Sequence, residues 1–287
     1  MNVAIHTSAL RGYDLARTVE ICAELEYGSV ELAADISETP HFQSHLATEA
    51  DLEALADLLD RTNLKLPAID IGGFDSALCL VNLDDAERRA AVRNVAHSIR
   101  VAGELLCPLV TSHLWGLPAA EARLNRSACE ASFLESVAEL APVLVKQNVH
   151  LNFMPHPGGF IEESDDTVDL IRRTGSPFLG YTYGTGHSFV INRPGQTPAE
   201  MIRYAGDLLT HVLVSDSHHV ERIIAPPEVK AHEHTVPGSG DLDFSAVFAA
   251  LREICYDRTL SVHLISERDR IKSAARSTRE FLLNCLS

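Results

Sequence analysis

Histidine is the residue type around which chemistry gathers in this sequence. Fourteen of its 287 residues are histidine, and the imidazole is the side chain that serves as acid, base or oxyanion donor near pH 7. Several have informative neighbours. His156 stands between Pro155 and Pro157, His187 follows Gly184-Thr185-Gly186, His218 adjoins His219, His232 and His234 alternate, and His263 closes an apolar run. Glu31, His113, Tyr183 and Asp216 close or nearly close other apolar runs, adding carboxylates, an imidazole and a phenol. The prolines around His156 predict a stiff turn. Other chemistries find no footing, because the sequence has no G-x-S-x-G and no Walker motif. Gly238-x-Gly240 lacks the preceding strand, following helix and third glycine of a dinucleotide loop, and reads as a turn into a helix capped by Asp241 or Asp243.

These residues need elements to hold them. Short β-branched or apolar runs alternate with helical patterns throughout, which is the signature of βαβ units and a parallel sheet. The runs predict strands over 2–7, 29–33, 65–70, 108–113, 149–154, 178–183, 211–216 and 260–265. Helices are expected near 14–26, 49–62, 84–105, 127–147, 165–174, 198–208, 243–256 and 268–285. Thr48 with Asp51, and Thr197 with Pro198 and Glu200, carry the spacing of helix N-terminal caps. Eight strand-helix pairs without a linker rich in Pro, Gly or Ser favour one α/β domain over residues 1–287, a (β/α)8 TIM barrel. Active sites of that fold lie at the C-terminal strand ends and in the loops that follow, where most of the histidines fall. Residues 217–242 show no secondary-structure pattern and read as a lid or binding loop.

Several stretches resemble the xylose-isomerase-like barrel superfamily of sugar phosphate isomerases and epimerases. They are Gly28-Ser29-Val30-Glu31-Leu32, Met154-Pro155-His156-Pro157-Gly158, Gly184-Thr185-Gly186-His187, and Pro237 through Phe244 running on to Leu260-Ser261-Val262-His263-Leu264. The likeness spans nearly the whole chain. It implies a divalent metal held by Glu, Asp, His and Glu from strands five to eight, but those positions fall here on Met154, Gly184, Leu213 and His263. Three of these replacements cannot ligate a hard cation. The resemblance therefore implies a site without the family's metal, and no cofactor is expected. A replacement zinc site of His187 and His263 with Asp216 or His156 is chemically open, since three N/O ligands and water suffice, but nothing in the spacing demands it.

What the resemblance implies for function is an enzyme acting on a small polyhydroxylated or sugar-derived carbonyl compound by isomerisation, epimerisation or elimination. His187 and His263 are the expected proton carriers, with Asp216 orienting a histidine or binding a hydroxyl, or else capping its loop. Substrate contacts are expected from Glu31, His113, His156, Tyr183, His218, His219 and His234, although Glu31 reads equally as an internal barrel carboxylate. The alternative is a catalytically silent barrel that binds a ligand or supports a partner. With 24 Lys+Arg against 40 Asp+Glu, the formal charge of −16 repels phosphate backbones and acidic lipid surfaces, so neither nucleic acid nor membrane is an expected partner. Six cysteines without C-x-x-C spacing read as small buried hydrophobes of a reducing compartment, and the chain reads as cytoplasmic. Barrels of this family often pair, so a homodimer is one expected state.

Overall fold

The computed structural model of the chain describes residues 1–287 except 36–39, 192, 219–222, 225–228, 231 and 287. Eight parallel strands close into a barrel: β1 (Asn2–His6), β2 (Ser29–Ala33), β3 (Ile69–Asp70), β4 (Leu109–His113), β5 (His150–Met154), β6 (Leu179–Gly184), β7 (Leu209–Val214) and β10 (Thr259–Val262). Between β7 and β10 a two-residue antiparallel pair, β8 (Ile223–Ile224) and β9 (Val229–Lys230), stands outside the barrel. The third strand is shorter than the apolar run 65–70 predicts. Lys65 makes only an isolated bridge to Ser29, and Pro67, which has no N–H to give a ladder, separates it from Ile69.

The surrounding helices are α1 (Leu15–Glu24), α2 (Glu49–Thr62), α3 (Asp85–Glu104), α4 (Ala119–Leu124), α5 (Arg126–Gln147), α6 (Ser164–Thr174), α7 (Thr185–Val190), α8 (Pro198–Ala205), α9 (Phe244–Glu253) and α10 (Ile271–Leu286). Both expected capping boxes form, Thr48 with Asp51 on α2 and Thr197 with Glu200 on α8, where Pro198 takes the first helical position. Asp243, not Asp241, caps α9 by accepting from Ala246 N. The helical pattern of 243–256 stops early because Cys255 adopts a left-handed φ of 55°. The short helices α4 and α7 have no counterpart in the sequence pattern, and α7 carries His187. None of the described helices is long and apolar enough to cross a membrane.

Strand periodicity divides the core. Ile5, Val30, Leu32, Ile69, Val110, Leu151, Phe153, Tyr181, Val212 and Leu260 face the helices in one continuous apolar cluster. Each aliphatic side chain fully buried there contributes about 1.5–3 kcal/mol. The alternate positions turn into the barrel, and there the sequence is polar. Asn152 Nδ2 donates to Thr182 Oγ1 at 3.1 Å and to Thr210 Oγ1 at 2.7 Å, and His211 Nε2 lies 2.9 Å from Glu31 Oε2. A barrel whose interior is mostly polar presents imidazoles and carboxylates toward its open end, which sets up the site.

Candidate active site at the barrel mouth

Parity places each candidate. In the β4–β5 register His113 pairs with Met154 and Thr111 with the inward-facing Asn152, so His113 and Met154 also point inward. Gly184 follows Thr182 by two and pairs with Leu213. His263 follows the inward Ser261 by two, just past β10, and its backbone N–H donates to Val214 O. Met154, Gly184, Leu213 and His263, the positions where the resemblance puts metal ligands, thus all line the mouth. A Cβ on Gly184 would stand 2.8 Å from His187 Nδ1 and 2.9 Å from Met154 Sδ. The space of the missing sixth-strand carboxylate is filled by an imidazole and a thioether, and the carboxylate-rich donor set is not there.

Imidazoles occupy the mouth instead. The His187 ring lies 5.0 Å from His156, 4.6 Å from His234, 5.9 Å from His263 and 6.2 Å from His113, centroid to centroid. His232 joins at 4.7 Å from His187 and 5.0 Å from His156. Phe74 packs on His113 and His156 at 4.5 and 5.0 Å, and Trp115 stands 6.0 Å from His156, forming an aromatic wall on one side. Burial, and after it the other imidazoles, hold His156, His187, His234 and His263 well below the ordinary histidine pKa. Burial also lowers that of His113, against the pull of Asp70. In all five rings the shift favours the uncharged form.

The rings differ in how they are held. His113 Nδ1 donates to Gly72 O at 3.0 Å and His156 Nδ1 to Pro157 O at 2.8 Å. Each bond fixes the tautomer and leaves the lone pair on Nε2. His234 Nδ1 lies 3.2 Å from Ser215 Oγ. In contrast, Nδ1 of His187 and Nδ1 of His263 are buried without a hydrogen-bond partner.

One layer deeper, His6 Nε2 donates to Asp70 Oδ2 at 3.2 Å, and Ser8 Oγ donates to His6 Nδ1 at 2.6 Å. The His6 ring packs edge-on at 4.7 Å from His263. Burial works to lower the His6 pKa, but Glu31 and Asp70 outweigh it and hold it above the ordinary value. Burial likewise opposes the ionised carboxylates, yet His211 and His6 hold Glu31 low, and His6 and His113 hold Asp70 low.

The structure corrects the expectations for Tyr183 and His218, and for Asp216 and Glu31 it favours the second of the two readings each carried. Tyr183 faces the helices: it shares parity with Tyr181, whose hydroxyl donates to Ser164 Oγ at the start of α6, and the two rings lie 6.5 Å apart. Strand alternation therefore keeps Tyr183 away from any ligand in the mouth. Asp216 is saturated by its own loop. Its carboxylate accepts from Ser217 N, Gly238 N, Gly240 N and Leu242 N at 2.8, 2.8, 2.9 and 3.2 Å, which is anchoring and not proton transfer. Glu31 is the internal carboxylate of the two readings, fully buried beside His211. His218 stands at the surface, its Nδ1 2.6 Å from Glu233 Oε2, and that carboxylate raises its pKa.

His219 lies outside the described residues. Among its described residues, the 217–242 segment holds the β8–β9 pair, an Asp216–Thr235 bridge and the Asp216 anchor. Phe74 and Trp115 stand out in no sequence pattern, and His6, Asp70 and His232, although at strand ends or in the 217–242 segment, carry no assigned role in the sequence reading. Their positions at strand ends and in the loops beyond were the available signal.

Residues 19–285 match the family model described as xylose isomerase-like TIM barrel. An uncharacterized protein of Methanocaldococcus jannaschii, MJ1311, is 21% identical over 262 residues, covering 90% of this chain and 82% of that protein. An inosose dehydratase of Geobacillus kaustophilus is 26% identical over 142 residues, 47% of this chain and 45% of the dehydratase. Among solved structures, D-psicose 3-epimerase from Clostridium cellulolyticum H10, crystallised with D-tagatose, superposes with a TM-score of 0.79 at 16% identity, covering 100% of both chains. At that identity the likeness is one of fold.

Proposed function

We propose, from the premise that this chain belongs to the xylose isomerase-like TIM-barrel family, that it is an enzyme moving protons beside the carbonyl of a small polyhydroxylated, sugar-derived compound. The observation that carries this reading is the cluster of five imidazoles at the barrel mouth, His113, His156, His187, His234 and His263. A silent barrel has no use for so many imidazoles withdrawn from solvent, because each disfavours its own charged form and two, His187 and His263, have an unpartnered ring nitrogen.

The proton carriers in this reading are His113 and His156, in place of the pair His187 and His263. A general base works best when a third group orients it. His113 and His156 have that group in the carbonyls of Gly72 and Pro157, with Nε2 left as the base. Their rings are 5.2 Å apart, close enough to serve one substrate carbon. Removing the proton next to a carbonyl and returning it on the other face epimerises. Moving it between carbons isomerises, and expelling a β-hydroxyl as water eliminates. A dehydratase of an inosose and a 3-epimerase of psicose are names consistent with this range. Phe74 and Trp115 would cover the substrate and exclude water.

No step here runs through a cation held by the family's ligand positions, because Met154, Gly184 and Leu213 do not fit one. Residues 1–287 act as one domain, and the excess of acidic residues favours a small neutral substrate over nucleic acid. The test is a panel of ketoses, ketose phosphates and inososes incubated with the protein in D2O. NMR should find deuterium entering carbon beside the carbonyl of at least one member. No exchange with any member, although some bind, would establish the silent ligand-binding barrel instead.

A further inference from the structure

Three of the mouth imidazoles form a group of their own. His187 comes from α7 directly after β6, His234 from the segment after β9, and His263 from the residue after β10. One ring nitrogen from each lies within 4.8 Å of the other two. All three side chains are buried, with 2%, 5% and 6% of their surface exposed. Nδ1 of His187 and Nδ1 of His263 have no hydrogen-bond partner. Buried polar atoms in folded proteins are nearly always satisfied, and an exception calls for an ion or water at the site.

The surroundings have the form of a ligand support. Ser215 Oγ reaches His234 Nδ1 at 3.2 Å and leaves the other ring nitrogen for a cation. The His6 ring, hydrogen-bonded to Asp70, packs edge-on against His263 at 4.7 Å and backs that ring. Gly184 keeps the space beside His187 free of a side chain.

We propose that His187, His234 and His263 bind one borderline divalent cation, best zinc, through three imidazole nitrogens with a further position open to water or substrate oxygen. The inference revises the sequence expectation of a metal-free mouth. That expectation counted four lost ligand positions, and only His263 belongs to both sets. It also replaces Asp216, whose oxygens are occupied, by His234 in the zinc site that the sequence left open.

Donor chemistry selects the ion. Neutral imidazoles suit zinc, copper and nickel, whereas magnesium, calcium and manganese prefer oxygen. Zinc–nitrogen bonds of about 2.0–2.1 Å set tetrahedral ligands about 3.3 Å apart, so small side-chain rotations close the group on the ion. Three protein ligands and one open position are the arrangement of a catalytic zinc, which polarises a bound carbonyl oxygen. A second group, His156, His187 and His232, shares His187. It is disfavoured because His156 and His232 are only part-buried, whereas all three members of the first group are buried, and the unpartnered Nδ1 of His263 belongs to the first group alone.

The site stands on geometry and is tested without substrate, so its failure and the failure of the proposed activity are separately visible. Full-length protein is stripped with chelator and titrated calorimetrically with zinc chloride, then with magnesium and manganese chlorides. One zinc per chain is expected, undisturbed by excess magnesium. X-ray absorption at the zinc edge should count three imidazoles, which needs no variant. H187A, H234A and H263A should each weaken zinc by about 100-fold or more, since even support residues cost about 10–100-fold. H234Q and H263Q replace any alanine variant that fails to fold. H232A should leave affinity within a few fold. Absence of saturable zinc binding, an imidazole count below three, or binding that follows His232 and not His234 and His263 would overturn the assignment.

Discussion

His187 Nδ1 stands 2.8 Å from the point where a Cβ on Gly184 would be. The two positions are exclusive: one side chain can occupy that corner of the mouth, and in this chain it is the imidazole. G184A should therefore force His187 or Met154 aside, at a cost of about 1–3 kcal/mol typical of overpacking. Urea denaturation reads this directly. G184D, the change toward the family's carboxylate, should destabilise at least as much and should not create magnesium or manganese binding, because Met154 and Leu213 still offer no oxygen.

Tyr183 and Tyr181 make a matched pair. The Tyr183 hydroxyl is buried with no partner, while that of Tyr181 donates to Ser164 Oγ at 2.8 Å. Y183F removes an unsatisfied polar group and should be neutral or stabilising by up to about 1 kcal/mol. Y181F should cost about 1 kcal/mol. Thermal denaturation of the two variants separates them. A large loss in Y183F would show that its hydroxyl has a partner the geometry does not give it.

Asp216 should behave as an anchor. D216A strands four backbone N–H groups of the Ser217–Leu242 segment, at a combined cost of about 3 kcal/mol, since each unsatisfied buried group costs about 1–3 kcal/mol and some would find water. Hydrogen exchange should show protection lost at Gly238, Gly240 and Leu242 in the variant. An unchanged exchange pattern, with turnover abolished, would return Asp216 to the catalytic role expected from sequence.

Much of this fold could be read before any coordinates, and the reasons are local. Alternating apolar runs and caps such as Thr48–Asp51 and Thr197–Glu200 are decided within a few residues, so eight strands and eight helices follow from them. The site was harder because it depends on parity and on chain return. Tyr183 sits near the end of β6, but a one-residue difference from Gly184 sends it to the opposite face. Asp216 has the position of a mouth residue, yet three of its four partners lie 22 to 26 residues onward in a segment without periodic pattern. His234 lies on that same segment, and only the fold brings it 4.4 Å from His263.

Stability should fall in mild acid. His113, His156, His187, His234 and His263 all have folded pKa values below the ordinary 6.5. The unfolded chain therefore binds protons that the folded chain refuses. Their contribution is complete above about pH 6.5 and is lost as pH falls below it, by up to about 1.4 kcal/mol per pH unit for each ring. His6, held above 6.5, works in the opposite sense and loses its contribution as pH rises through its folded value. Five rings outnumber one, so the urea midpoint of metal-stripped protein should be lower at pH 5.5 than at pH 7.5. Equal midpoints would mean the rings are not buried as described.

The central claim is that oriented imidazoles at the mouth carry the proton. It is tested most directly by the rate of deuterium exchange into the panel member that reacts, measured in single turnover with H113A and H156A. Loss of the oriented base should slow exchange by about 100-fold or more in at least one of the two variants, the typical worth of a positioned acid or base, with far-UV circular dichroism unchanged. Exchange at the wild-type rate in both variants would contradict the account and leave these two rings as wall, not machinery.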